Sequence, residues 1–448
     1  MDTPICDFVR DYADSKKLRL HMPGHKGCNV LGVEHLDITE VAGADVLYSA
    51  EGIIKQSQEN AADLFGTAKT LYSTEGSSLA IRSMLYLAVL YGKTMGKRPL
   101  IAAGRNAHKA FLSAAALLDL DVTWLFPERR DTILSCEITA ESLDKKLSAM
   151  NEKPLAVYIT SPDYLGNVAD VKGLSRVCHR HDVLLVGDNA HGAYLNFLPQ
   201  SRHPMALGAD LCCDSAHKTL PVLTGGAYLH ISRSAPALFC EQAERAMSLF
   251  ASTSPSYLIL QSLDAANRYL AEGYQERLAS FAAELSGLKK RLAEAGYTLT
   301  GNEPMKLTIA AKAYGYTGDQ LAELLWEKGI SCEFSDPDYL VLMFTPEIGA
   351  AGLELLERTL CEIRKKQPIA EHPPIIPSPE QVFSVREAML ALSKEVPVND
   401  SCGNVLASAS VSCPPAIPVV VCGERISEAA IECFQYYGIT ECRIIVSI

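Results

Sequence analysis

The chain has no C-x-x-C pair and no zinc-type ligand spacing, although 14 of its 448 residues are cysteine. That argues against a metal or redox centre and leaves reduced, mostly buried thiols as the expectation. Five of them (Cys402, Cys413, Cys422, Cys433 and Cys442) fall in the last stretch without such spacing. No apolar run approaches the length that spans a bilayer; Met84–Leu90 is among the longest. The first residues, Met1 to Asp7, lack the basic start and apolar core of a secretory signal, so a cytoplasmic location is expected. Basic excess is missing too. The 41 Lys and Arg against 53 Asp and Glu give a net charge of −12, which disfavours nucleic acid as main partner. Internal repeats and low-complexity tracts are also absent.

What remains is an ordinary globular composition, 48% hydrophobic and 21% charged, long enough for two or three domains. From about residue 66 to 231 short β-rich runs alternate with helical patterns. The predicted strands are Arg98–Ala103, Val122–Phe126, Leu155–Thr160, Val183–Gly187, Ala209–Cys213 and Gly226–Ile231; predicted helices include Ser77–Leu90 and Val171–His181. Such alternation implies an α/β fold with a mostly parallel sheet, whose ligands sit beyond the carboxyl ends of the strands. Ser254 to Gly296 reads as a long helical region starting at Pro255 with Ser254 as its cap. A small α+β unit follows, with strands near Lys306–Ala311, Cys332–Phe334 and Tyr339–Phe344 and a helix near Asp319–Lys328. Gln367 to Pro379 is a proline-rich linker, and the segment after it is an appended domain that leans on the rest.

Two residues carry the most chemical information. Asp188 ends the run Val183 to Gly187, and Lys218 closes Asp214-Ser215-Ala216-His217-Lys218 after the next predicted strand. Singly, the first reads as a buried turn cap and the second as a surface lysine. Together, at the ends of adjacent strands, they match the needs of pyridoxal 5'-phosphate (PLP). The lysine condenses with its aldehyde, and the acid keeps the pyridine nitrogen protonated so that the ring accepts electrons. Gly76, Ser77 and Ser78 open a helical run and suit a phosphate dianion, with Ser215 and His217 as further donors. His108, past the strand ending at Ala103, is placed to stack on the ring. His191 either reaches the cofactor's phenolic oxygen or holds its own loop. His179 and His181, at a helix end, read as solvated.

Longer motifs extend the pattern. They include His21-Met22-Pro23-Gly24-His25-Lys26-Gly27, Asp37-Ile38-Thr39-Glu40, Glu51-Gly52-Ile53-Ile54 and Arg105-Asn106-Ala107-His108-Lys109. Thr160 to Gly166, Asp188 to Gly192, Ser215 to Pro221, Pro255-Ser256-Tyr257 and Ser262-Leu263-Asp264 follow, then Pro414 to Pro418 and Gly423-Glu424-Arg425-Ile426. In this order they resemble, almost end to end, the bacterial ornithine/lysine/arginine decarboxylases. These are fold-type-I PLP enzymes related to aspartate aminotransferase. The resemblance is to the compact form of the family, without a response-regulator-like N-terminal domain.

It implies an aspartate aminotransferase-like sheet domain, a small α+β domain and an appended C-terminal domain. The expected boundaries are an N-terminal arm over 1–50, a PLP-binding domain over 51–250, a small domain over 251–366, and linker with C-terminal domain over 367–448. It implies Lys218 as the covalent attachment point, Asp188 at the ring nitrogen and His108 on the ring. Gly76, Ser77, Ser78, Ser215 and His217 would hold the phosphate, and His191 would sit near the phenolic oxygen. No metal is expected, and a homodimer with its active site at the interface is implied. The activity implied is decarboxylation of arginine, lysine or ornithine to the amine that feeds polyamine synthesis. An aminotransferase or lyase on another amino acid, or a non-catalytic PLP-binding paralogue, is the alternative. The chain departs from the family pattern at Asn189 (commonly glutamate), Glu75 (asparagine), Val46 (an acid), Tyr48 (histidine), Cys413 (tyrosine) and Ala416 (glycine).

Overall fold

The computed structural model describes residues 1–128, 130–409 and 417–447; Cys413 and Ala416 lie outside them. The dominant element is a seven-stranded, mostly parallel sheet in the order β1-β7-β6-β5-β4-β2-β3. Its strands are β1 (Lys69–Ser73), β2 (Leu100–Gly104), β3 (Asp121–Leu125), β4 (Ala156–Thr160), β5 (Leu184–Asp188), β6 (Leu211–Asp214) and β7 (Ala227–Ile231). Six of the seven match the predicted runs to within two residues. β1 is the addition.

β2 and β3 are parallel, as are β5 and β6, whereas β7 runs antiparallel to both β1 and β6. The carboxyl ends of β1, β5 and β6 and the start of β7 therefore share one edge. Every residue of β5 and β7 is buried, which explains why these strands read as continuous apolar runs rather than alternating ones.

Helices α1 (Pro4–Asp14) and α2 (Ile53–Phe65) precede β1, and α3 (Ser77–Thr94), α4 (Lys109–Leu118), α5 (Ala140–Ala149) and α6 (Val171–Arg180) lie between strands. Helix α2 buries Ile54, Ala61 and Phe65 along one stripe and stops at Gly66, whose φ of 67° allows its N–H to turn back to the carbonyls of Ala62 and Asp63. Asp45 caps the other end, accepting from the backbone N–H groups of Gly52 and Ile54. Burial opposes its charge, but the N–H groups of Glu51, Val46, Gly52 and Ile54 outweigh it and hold its carboxyl below the usual range.

The helical region after residue 254 differs from the expectation. It is two helices, Tyr257–Ala271 and Tyr274–Glu294, separated at Gly273, whose φ is 72°. The cap is Ser256 rather than Ser254: its hydroxyl accepts from Ile259 N–H at 3.4 Å. Ser254 instead donates its own N–H to Ser252.

By contact density the chain divides into two compact units. One comprises Met1–Arg98, Glu152–Ile159 and Val171–Glu276; the other comprises Pro99–Asn151, Thr160–Asp170 and Arg277–Ile448. The second unit holds a four-stranded sheet, in the order β10-β11-β9-β8, of β8 (Leu299–Thr300), β9 (Lys306–Ala310), β10 (Phe334–Ser335) and β11 (Tyr339–Met343). It also holds the antiparallel pair β12 (Leu392–Pro397) and β13 (Glu441–Ser447). The C-terminal segment shares one apolar core with Leu134, Leu165, Phe334 and Val341 of the same unit, as its short length led us to expect. Cys433 and Cys442 belong to that core as small hydrophobes. Among the described residues every cysteine is free: six are buried, four partly covered, and Cys28, Cys361 and Cys402 exposed. No helix of the described residues is long and apolar enough to cross a membrane.

Candidate active site

Most of the predicted site residues gather at the shared edge, within the first unit. Asp188 is the last residue of β5 and is buried. Three residues on, His191 Nε2 lies 3.0 Å from Lys218 Nζ. Lys218 sits in a single helical turn, Ala216–Thr219, directly after β6. The two strand ends thus bring the acid's loop and the amine together, as adjacent parallel strands must.

The phosphate-type residues meet beside them. Gly76, with φ 70°, donates its N–H to the Gly225 carbonyl at 2.7 Å, tying the end of β1 to the start of β7. A side chain at Gly225, where φ is 101°, would come within 2.9 Å of the Thr74 carbonyl, so glycine is required there. Ser215 Oγ donates to Ser77 Oγ at 2.8 Å. Helix α3, 18 residues long, starts at Ser77 with no side chain capping it. Its first N–H groups are therefore open to an anion, and the macrodipole favours one.

His217 is held otherwise than the motif suggests. Its Nδ1 lies 3.0 Å from the Gly226 carbonyl and donates to it. Burial, and then the Lys218 charge, push its pKa below the usual value. A hydrogen bond from His217 to phosphate therefore requires the Nε2 atom to gain a proton.

His108 belongs to the second unit, where it caps α4 by accepting from Ala110 N–H at 3.2 Å through Nδ1. Its ring is half-buried. His179 is not simply solvated, contrary to expectation. Its Nε2 is 3.0 Å from Oδ2 of buried Asp210, whose carboxylate also accepts from Leu185 N–H.

Several polar residues at the edge escaped the sequence reading. Tyr158, in the middle of β4, donates its hydroxyl to Asp188 Oδ2 at 2.8 Å. Cys213 Sγ donates to Asp188 Oδ1 at 3.6 Å, and Ala190 N–H to the same oxygen at 3.2 Å. Below them, Asp214 is fully buried and accepts from Asn189 Nδ2, His203 Nε2 and His230 Nε2 at 2.6, 3.0 and 3.1 Å. Burial opposes its charge, but the two imidazoles outweigh it and hold the carboxyl far below the usual range.

His203, Asp214 and His230 also lie within metal-ligand distance of one another. However, His203 Nδ1 accepts from Met205 N–H, so its proton is on Nε2, directed at Asp214. The cluster is thereby satisfied as a hydrogen-bond network. The one sequence signal for it was a histidine inside the apolar run Ala227 to Ile231.

Of the departures, Glu75 accepts from Ser252 N–H at 2.7 Å and so pins the segment after the Ala237–Phe250 helix. Val46 is exposed, and the buried Tyr48 hydroxyl has no hydrogen-bond partner.

These residues fit PLP. The amine lies against an imidazole, the acid lies at the end of a neighbouring strand, and an uncapped helix N-terminus is flanked by hydroxyls. Fold and donor set together define a fold-type-I PLP enzyme. The comparisons with known proteins then narrow the class. Residues 3–299 match the family model "Orn/Lys/Arg decarboxylase, major domain". The chain belongs to that family.

It is 30% identical to the arginine decarboxylase of Halalkalibacterium halodurans, covering 95% of this chain and 91% of that protein. It is likewise 30% identical to the arginine decarboxylase of Bacillus subtilis, covering 95% and 92%. Among solved structures, the lysine decarboxylase LdcF of Francisella novicida superposes with a TM-score of 0.80 at 19% identity, covering 99% of this chain and 81% of that one.

Proposed function

We propose that arginine is the substrate of this PLP-dependent amino-acid decarboxylase, with agmatine and carbon dioxide as products. The observation that carries the PLP-dependent part of the reading is the 3.0 Å contact between Lys218 Nζ and His191 Nε2, three residues past Asp188. Two relatives that it matches over more than nine-tenths of their length, both named arginine decarboxylases, support the choice among basic amino acids.

Bound PLP supplies an electron sink for the pair left when the α-carboxylate departs as carbon dioxide. Lys218 Nζ would be the attachment point for the cofactor's aldehyde and a proton donor, and His191 Nε2, 3.0 Å away, would share that proton and hold the amine in place. Asp188 would offer its carboxylate to the ring nitrogen. Ser77, Ser78, Ser215 and the first N–H groups of α3 would hold the phosphate, and the family resemblance assigns His108 to the ring. Bond choice is a matter of orientation, because only the bond perpendicular to the ring overlaps its π system.

A homodimer belongs to the same reading. Leu18, Leu20, Met22, Val30 and Leu31 of the N-terminal arm are each more than 60% exposed, a run of apolar surface that a second copy would cover. Light scattering on the purified protein reads this directly.

The substrate test incubates protein and PLP with each common amino acid and follows carbon dioxide, amine and keto acid. Agmatine and carbon dioxide from arginine support the reading. Preference for lysine or ornithine changes the substrate only, keto acid without carbon dioxide replaces decarboxylation by transamination, and a cofactor band without turnover removes the catalytic role.

A further inference from the structure

We propose that Tyr158 is a positioning residue for Asp188, fixing the rotation of its carboxylate toward the cofactor's ring nitrogen, with Cys213 as the second side-chain donor. The inference rests on the reading of Asp188 as partner of that nitrogen. It concerns how the acid is held rather than what is decarboxylated.

The geometry spans three neighbouring strands. Tyr158 stands on β4, Asp188 ends β5, and Cys213 lies opposite Asp188 in the register of β6. All three side chains are buried. A carboxylate in such a place accepts hydrogen bonds or is destabilised by several kcal/mol, so its donors decide which way it faces. Here Oδ2 takes the phenol at 2.8 Å, while Oδ1 takes Ala190 N–H at 3.2 Å and the thiol at 3.6 Å. With one donor on each side of β5, the carboxylate cannot rotate without breaking at least one bond.

The two side-chain donors also keep their protons. Burial, and then the Asp188 charge, raise the Tyr158 phenol and the Cys213 thiol well above their usual values. Neither becomes an anion that would repel Asp188 at working pH. A tyrosine that was only core filling would need no carboxylate partner. Phenylalanine would fill the same volume without placing a hydroxyl in the sheet.

The test is Tyr158→Phe in the full-length protein, which removes one oxygen and keeps the ring. Without amino acid present, the PLP dissociation constant is expected to rise by about tenfold, the size of one hydrogen bond to a charged group. The pH dependence of the cofactor's visible absorbance should shift with it. In turnover, kcat should fall by about tenfold with KM within about twofold, because the lost contact serves the cofactor. Wild-type values for the dissociation constant, the absorbance–pH curve and kcat together would overturn the proposal.

If Tyr158→Phe does not fold, Cys213→Ala and Cys213→Ser read the same curves. A shift in the alanine variant that serine restores supports the clamp, and no shift in either overturns it. Because the PLP measurements need no substrate, a wrong substrate assignment leaves their outcome unchanged.

Discussion

Asn189 Nδ2 and Asp214 Oδ1 are 2.6 Å apart, both fully buried at the ends of adjacent strands. The amide must present its NH2 here, because Asp214 can only accept. Its Oδ1 is left without a partner.

Asn189→Asp places a second carboxylate in that contact, and the two cannot both ionise in a buried site. One of them then has a folded pKa raised above its unfolded value. The native state holds a proton that the unfolded chain has released, so stability falls as pH rises through the raised value. The variant should be destabilised by about 2–4 kcal/mol at pH 8 and by less at pH 5. Urea midpoints at the two pH values check this, and equal losses would contradict it.

Asp336 offers a pH-dependent prediction in the second unit. Burial raises its carboxyl to about 7, although its Oδ1 accepts from the N–H groups of Asp338 and Tyr339 at 2.8 and 2.7 Å. Between about pH 4 and 7 the native state is therefore protonated there and the unfolded chain is not. This contribution to stability is present below about pH 4, is lost as pH rises to 7, and changes no further above it. Asp336→Asn keeps the two backbone acceptor contacts and removes the titration. Its stability relative to wild type should be greater at pH 8 than at pH 5, read by urea midpoints; an unchanged difference counts against the buried acid.

Arg105 and Glu424 form a buried ion pair at 2.7 Å. Burial lowers the pKa of the first and raises that of the second, so desolvation exceeds their mutual attraction. The Arg105 guanidinium also lies over the rings of Trp124 and Phe126. Glu424→Leu alone leaves a buried unpaired cation and should cost about 3–5 kcal/mol. Adding Arg105→Met should recover part of that loss. A double variant no more stable than Glu424→Leu would contradict the account.

The strands, and the meeting of Lys218 with the loop after Asp188, were legible because buried parallel strands are written as unbroken apolar runs, and because chemistry collects at their carboxyl ends. β1 was not legible: Lys69-Thr70-Leu71-Tyr72-Ser73 has one aliphatic residue, and its burial comes from pairing with β7. The Ser256 cap was missed because three serines precede Tyr257, and only the backbone decides which one faces Ile259. Tyr158 was hidden for the opposite reason. In Ala156-Val157-Tyr158-Ile159 its ring reads as core, which it is, while its hydroxyl partner lies 30 residues away. The Asp214 network left only the signal of His230 inside an apolar strand, since His203 reaches it from a helix cap.

The central claim is best met by reducing the PLP-loaded protein with borohydride and mapping the modified peptide by mass spectrometry. The account predicts a single phosphopyridoxyl group on Lys218, and none in Lys218→Ala, whose turnover should drop by at least about a thousandfold. A group trapped on another lysine of the wild-type protein would contradict it.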